Sequence, residues 1–311
     1  MNVCYIKQSK QREDFLNENE KYLPKFFRNV IYHFKSFFNI LNIQELENKL
    51  ICFIPYKTLD NKYIEKLVYN IEKLLKKKQI RNVVLSEDLR ELETKFSTVN
   101  ILNGRWLFQF LLYDILIYIA QKKNTDLAKL DISVLVNNVD DLIMPNLNLL
   151  VHNVKSLSIV TNSFEKFKVF EQNLYSNYGI MISIANNKRK SLSKSNIIIN
   201  FDFTEEILKQ YSINPKAIII NVKNKIKKHN KRFNGININN CNIILNKNLI
   251  DSFKQDKLYN YFDSNILYES IVYRKDNFRN IRDEIIKDKI KIYKLIGNNS
   301  VISDEEFIKS N

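Results

Sequence analysis

Residues 131–162, DISVLVNNVDDLIMPNLNLLVHNVKSLSIVTN, set the tightest limit on the fold. Ile132 to Val136 is a short apolar run rich in β-branched side chains, which suits a buried strand. The polar turn Asn137-Asn138-Val139-Asp140-Asp141 follows, then helical spacing over 142–154 and a second apolar run over 157–160. Strand, turn, helix, strand opens a doubly wound α/β domain, because two parallel strands need a crossover between them. In such domains the first turn usually receives phosphates, and a G-x-G-x-x-G pattern lets backbone close on them at a helix N-terminus. This turn contains no glycine.

The alternation extends in both directions. Upstream, strands are expected at residues 1–6, 50–54 and 82–85. Ile64, Leu67, Val68, Ile71, Leu74 and Leu75 mark an amphipathic helix laid on them. Residues 13–41 read as mostly helical, with Phe26, Phe27, Tyr32, Phe34, Phe37 and Phe38 as core positions. Residues 103–121 are apolar nearly all round, the pattern of a helix buried between layers, and are expected to link two domains. Downstream, Asn162-Ser163-Phe164-Glu165 reads as an N-cap with a glutamate at N3, and Gly179 as the C-terminal stop of that helix. Strands are expected at 180–185, 197–201 and 217–222, with a short helix over 204–211 and a sixth strand at 243–245. From 249 onward the chain reads as helical, with a last helix over 282–293 ended by Gly297. The expected architecture is α/β. An N-terminal α/β domain spans 1–125, a doubly wound parallel-sheet domain spans 126–248, and a C-terminal helical segment, 249–311, packs back on them.

Composition narrows the function classes. Only 4 Gly and 4 Pro occur, where average usage gives roughly 20 and 15 in this length. Asn, Ile and Lys take their place, so part of the +15 net charge reflects a general residue bias. The lysines are spread over many segments and read mainly as solvated surface, and nucleic acid is not the expected partner. The densest run is 223–232, KNKIKKHNKR. Cys4, Cys52 and Cys241 are far apart, odd in number and in no metal-ligand spacing, which suggests free buried thiols in a reducing compartment. Early charges at Lys7, Lys10 and Arg12 exclude a signal-peptide pattern, and the apolar run 106–120 is too short to span a bilayer. A cytoplasmic protein off the membrane is expected. No zinc, calcium or P-loop pattern is present, and His33, His152 and His229 are isolated in sequence.

Three local motifs carry a family resemblance. Ile54-Pro55-Tyr56-Lys57 resembles an N-V-T-x-P-x-K segment. Asn103-Gly104-Arg105-Trp106 falls where an N-T-D motif precedes the linking helix. Ile159 to Lys166, IVTNSFEK, resembles a second strand followed by an N-R-T-x-x-[K/R] turn. With the domain order, these are similar to the shikimate dehydrogenases, whose second domain is a Rossmann domain. The resemblance implies a catalytic Lys57, a dinucleotide site at Asn137, Asn138, Asn162 and Ser163, and NADP as cofactor.

The departures from that family cluster at its chemistry. The family pairs its lysine with an aspartate to move a proton as hydride leaves an alcohol carbon. Arg105 stands in the aspartate's place, and a guanidinium stays protonated and cannot accept that proton. Gly104 replaces the motif's threonine, and Ser163 replaces the arginine that would hold a 2′-phosphate. Asp140 and Asp141 repel a pyrophosphate and suit a helix N-terminus instead. The expected function is therefore a shikimate-dehydrogenase-like protein with a degraded dinucleotide loop. It would bind an unknown protein partner or a small anionic ligand in the interdomain cleft. Lys188, Arg189 and Lys190, after the 180–185 strand, are the candidate anion-binding residues, at the sheet edge where ligands of open α/β sheets sit. The alternatives are an NAD(P)-dependent oxidoreductase with an atypical phosphate loop and a nucleic-acid-binding protein acting through 223–232.

Overall fold

The computed structural model describes residues 3–8, 16, 18–38, 40–46, 49–54, 61–226, 233–273, 277–298 and 300–309. Contacts divide the chain into two compact units. The first is Met1–Gly104 with Lys247–Arg274, and the second is Arg105–Asn246 with Lys275–Asn311. These bounds differ from those read off the sequence. The apolar helical stretch after Gly104 belongs to the second unit, and the C-terminal segment is shared between the two.

The first unit opens with β1 (Val3–Gln8), α1 (Glu18–Lys21), α2 (Lys25–Phe37), β2 (Asn42–Leu46), β3 (Lys49–Ile54), α3 (Asn61–Lys77), β4 (Asn82–Leu85) and β5 (Asn100–Leu102). Its sheet runs in the order β2-β3-β1-β4-β5. β1 is parallel to β3 and β4, and β5 is parallel to β4, as the intervening helix and 3-10 segment require. β2, not foreseen from sequence, is antiparallel to β3, because only two residues separate them and a crossover cannot fit. Leu67, Ile71 and Leu75 recur at helical spacing and bury α3 against Cys4, Ile6, Leu50, Cys52 and Val83 of the sheet. Burial pushes the Cys52 thiol up to about 12, and it raises Cys4 as well. Both thiols are held protonated, inert and packed as small apolar groups.

α2 overturns one expectation. Of its aromatics only Tyr32 is buried, while Phe26, Phe27, Phe34, Phe37 and the adjoining Phe38 are exposed. The helix has an apolar stripe, as its spacing indicates, but the stripe faces outward.

The second unit begins with α4 (Arg105–Phe110) and α5 (Leu112–Lys122), two helices where the spacing predicts one. Leu107, Phe108, Phe110, Leu112, Ile115, Leu116 and Ile119 are buried, so the all-round apolar pattern does mark a core element. At the junction, Arg282 donates to the Phe110 carbonyl (2.9 Å) and pairs with Asp114, which gives the acidic residue in this apolar helix a partner.

Next come β6 (Asp131–Leu135), α6 (Ile143–Val151), β7 (Ser156–Val160), α7 (Phe164–Tyr178), β8 (Ser183–Ala185), β9 (Ile197–Asn200), α8 (Glu205–Leu208), β10 (Ile218–Asn221) and β11 (Ile236–Ile238). They form a six-stranded sheet in the order β11-β10-β9-β6-β7-β8, parallel throughout. Counted in order of appearance this is 3-2-1-4-5-6, the Rossmann order, whose direction reverses between the first and fourth strands. Here that switch point lies between β6 and β9. Strands covered on both faces read as continuous apolar runs, and the repeated I-I-I-N of β9 and β10 is buried at every position. Gly179 ends α7 with φ +66°, as the sequence indicates.

Three further expectations change. The sixth strand is β11, not 243–245. Ile243 belongs to β12 (Asn240–Ile244), which leaves the parallel sheet. The chain then returns to the first unit with α9 (Lys247–Gln255) and α10 (Ser264–Val272), fixed there by a buried 2.6 Å bond between the Tyr5 and Ser270 hydroxyls. It re-enters the second unit with α11 (Phe278–Lys287), β13 (Lys291–Ile296) and α12 (Asp304–Lys309). β13 pairs antiparallel with β12, so residues 291–293 are strand rather than helix, and Gly297 ends a strand. The alternating pattern KIYKLI carries β-branched and aromatic residues that suit that half-covered ribbon.

Candidate functional site

Ligands of open α/β sheets bind outside the carboxyl ends of the strands, at the switch point. In the second unit this edge is closed by the chain itself. Buried Val136 follows β6, and the chain turns through Asn137 and Asn138. Across the switch point, Asp202 follows β9. Its carboxylate accepts from the Asn137 N–H at 2.9 and 3.0 Å and from the Asn138 N–H at 2.7 Å. These amides are the donors that a phosphate would use in a glycine-rich loop, and a resident carboxylate occupies them.

The turn is fixed from the other side as well. Asp140 accepts from the N–H groups of Leu142 and Ile143, both at 3.0 Å, at the start of α6. Its other oxygen pairs with the Lys223 ammonium. Burial works to raise the Asp140 carboxyl, but Lys223 and the two amides outweigh it and hold the group below the usual aspartate range. Asp140 thus serves the helix terminus, as its position predicts. Asp141 is exposed beside it.

Amide side chains bridge the rest of the edge. The Asn137 side-chain oxygen accepts from the Asn162 N–H (2.7 Å), Asn162 accepts from the Asn186 amide (2.5 Å), and Asn186 accepts from the Tyr211 hydroxyl. This row crosses the ends of β6, β7 and β8. A second row crosses β9, β10 and β11. Asn200 donates to Asn221 (3.1 Å), and Asn221 donates to Asn237 (2.5 Å) and Asn239 (3.1 Å). Asn200 and Asn221 are register partners at the last positions of their strands, so the amides meet directly. Both are buried, and a buried amide needs such partners.

Arg105 is a strut in this arrangement. Its guanidinium donates to the carbonyls of Lys223 (3.1 Å), Asn221 (2.9 Å) and Asn239, all at the ends of β10 and β11. Burial pushes it down to about 10, which leaves it charged near neutral pH. Gly104, just before it, has φ +82°, a conformation that a threonine resists.

The other predicted site residues fare differently. Asn137, Asn138, Asn162 and Ser163 do gather at the switch-point edge, but their bonds run within the chain, to one another and to Thr161, Asn186 and Asp202. Ser163 donates its N–H to the Thr161 hydroxyl (2.9 Å) and makes no side-chain cap on α7, contrary to the expected cap at Asn162. Lys188, Arg189 and Lys190 form an exposed turn after β8. Asn187 shapes it by accepting from the N–H groups of Arg189 (3.0 Å) and Lys190 (3.1 Å), and Lys188 reaches Gln210 (2.5 Å). Lys57 lies outside the described residues, as does 227–232 of the basic run. Lys223, at the start of that run, is engaged by Asp140. Among the described residues no group of His, Cys, Asp and Glu is arranged to hold a metal ion. No helix among them is long and apolar enough to cross a membrane.

Asp202 and the Asn200–Asn239 row were not foreseen. The repeated I-I-I-N was readable in the sequence, but abundant asparagine elsewhere masked it. The first unit also holds a cavity of about 190 Å³ whose lining includes Glu87, Asp88, Tyr261 and Asp263. Its acidic lining is the opposite of what an anionic ligand needs.

No family model matches the sequence, and no curated protein sequence matches it. Among solved structures it is similar to ornithine carbamoyltransferase from Pyrococcus furiosus, at 11% identity over 92% of this chain and 84% of that one, with a TM-score of 0.30. It is also similar to L-tryptophan dehydrogenase from Nostoc punctiforme (10% identity, 99% and 78% covered, TM-score 0.28). A third is shikimate 5-dehydrogenase from Listeria monocytogenes, in complex with shikimate and NAD (8% identity, 71% and 78% covered, TM-score 0.28). At such values the likeness carries no chemistry, and the Rossmann assignment rests on the strand order. The switch-point turn lacks glycine, its donors are taken, and carboxylates flank it.

Proposed function

We propose that this chain is a Rossmann-like binding protein that does not carry out nicotinamide hydride transfer. The reading rests on one observation, the Asp202 carboxylate on the N–H groups of Asn137 and Asn138. A pyrophosphate would have to expel that carboxylate and then lie near Asp140. An uncompensated unit-charge contact at ~4 Å costs about 4 kcal/mol at an effective dielectric near 20, and at Asp140 the paired Lys223 ammonium offsets part of it. Arg105 supports the reading, since a guanidinium spread over three carbonyls has no acceptor with which to take a proton. The class of ligand we propose is a small anion or an anionic partner segment. Arg189 and Lys190 would meet it on the turn that Asn187 shapes after β8.

The test is a titration of NADPH, followed by nicotinamide fluorescence, into the native protein and Asp202→Ala. The native protein should show no saturable binding, and the opened variant should gain affinity for NADPH or for inorganic pyrophosphate. Saturable micromolar binding by the native chain would overturn the proposal in favour of an oxidoreductase with an atypical phosphate loop. The anion class is checked separately by the melting temperature in pyrophosphate. Protection should be lost in Arg189→Ala/Lys190→Ala, and equal protection in both proteins would remove that turn from the site.

A further inference from the structure

The outward stripe of α2 has the properties of a self-association surface. At 3.6 residues per turn, Phe26, Phe27, Val30, Phe34, Phe37 and Phe38 fall within an arc of about 120°. The five rings are exposed by 72, 56, 57, 74 and 52%, which at ~200 Å² per ring leaves about 600 Å² of aromatic surface bare. Val30 with the flanking Leu23 and Ile40, all exposed, brings the patch to about 800 Å². That exceeds the largest apolar patch of an ordinary monomer, roughly 300–600 Å². It also equals one partner's share, about 800 Å², of a standard stable interface.

Charge decides between a protein and a lipid surface. A helix that lies on anionic lipid presents cations along with its apolar face. In α2, Arg28 and Lys35 lie on the side away from the stripe and are half-buried, Lys25 is exposed but also points away from the stripe, and exposed His33 stands at its edge. Lys35 is drawn inward by Glu20 at 2.5 Å, and its side chain is only 12% exposed. The stripe itself therefore carries no lysine or arginine, although the chain carries a net +15. Two copies can approach through such a stripe without placing like charges opposite each other. The rings already pair edge-on or tilted within one helix, with centroids 5.7 Å apart for Phe26 and Phe27 and 4.7 Å for Phe34 and Phe38. They stand as ridges on which a second such helix can pack.

We infer that α2 is the interface of a two-fold dimer of this chain, in which the two stripes pack antiparallel and Val30 lies near its own symmetry mate. The test uses the full chain. Sedimentation equilibrium at micromolar concentration should give a dimer. Phe26→Glu and Phe37→Glu should each weaken it at least about tenfold. Their circular dichroism should be unchanged, since both positions are exposed. Oxidised Val30→Cys should give a disulfide-linked dimer, because Cys4, Cys52 and Cys241 are all buried. A monomer at every concentration would overturn the inference, as would a dimer indifferent to both glutamate substitutions. A monomer that floats with anionic vesicles, and loses them in Phe37→Glu, would overturn it in favour of a lipid surface.

Discussion

Asp202 changes what the switch-point turn means. Its carboxylate makes the contacts that a phosphate would make, so the missing glycines are matched by a positive feature. The Asp202→Ala variant strips three charge-assisted bonds from half-exposed amides that water can partly satisfy. It should lower the stability of the second unit by about 1–2 kcal/mol in urea denaturation, while gaining anion affinity. A loss of stability with no gain would mean that the turn collapses without its carboxylate. Arg105→Met should be the more damaging change. It leaves the carbonyls of Asn221, Lys223 and Asn239 short of a donor in a largely buried position. About 2–4 kcal/mol should be lost, read by the same denaturation curve.

At the scale of elements, β11 depends on close approach. A Cβ at Gly235 would lie 2.0 Å from the Ala217 carbonyl oxygen, where Ile236 hydrogen-bonds to start the β10–β11 pairing. Gly235→Ala should therefore cost about 3 kcal/mol by pushing the edge strand away, and hydrogen exchange should locate the loss in residues 236–238. Gly179→Ala meets nothing within 4 Å and suffers only from φ +66°, so about 1 kcal/mol is expected. The contrast between the two glycines separates steric from conformational need. A strand edge is decided by backbone separation, which a sequence pattern does not contain, whereas a helix stop is a local event, and Gly179 was legible as one.

For the whole molecule, burial and hydrogen bonding set the pH range of stability. Asp131, Asp140 and Glu72 are all lowered. Ser156 dominates at Asp131, and at Glu72 the Ser97 and Thr98 amides overcome burial. A lowered carboxyl binds fewer protons folded than unfolded, so its contribution is present above about pH 4 and is lost as pH falls through the folded value. The three buried thiols are raised, and the folded state keeps protons that the unfolded chain releases. Their contribution is full below about pH 8.5 and declines as pH rises toward the folded values. Urea midpoints should therefore be flat from about pH 5 to 8 and fall on both sides. Asp140→Asn should flatten the acid limb, and an unchanged limb would show that the Lys223 pair is too solvent-exposed to contribute.

The sequence by itself determined the α/β alternation, the parallel strands, the buried apolar helices and the glycine-free turn. Period and β-branching are local properties, written in residues 131–162 as plainly as in any structure. It also located Asn137, Asn138, Asn162 and Ser163 together, since strand ends in a doubly wound sheet share one edge. The tertiary structure alone decided which partners meet there. Asp202 lies 65 residues beyond Asn137, and the amide row joins strands whose order on the sheet differs from their order in the chain. Similarly, the helical period of α2 announced an apolar stripe. Whether that stripe faces in or out depends on what the rest of the chain packs against, and periodicity carries no such direction.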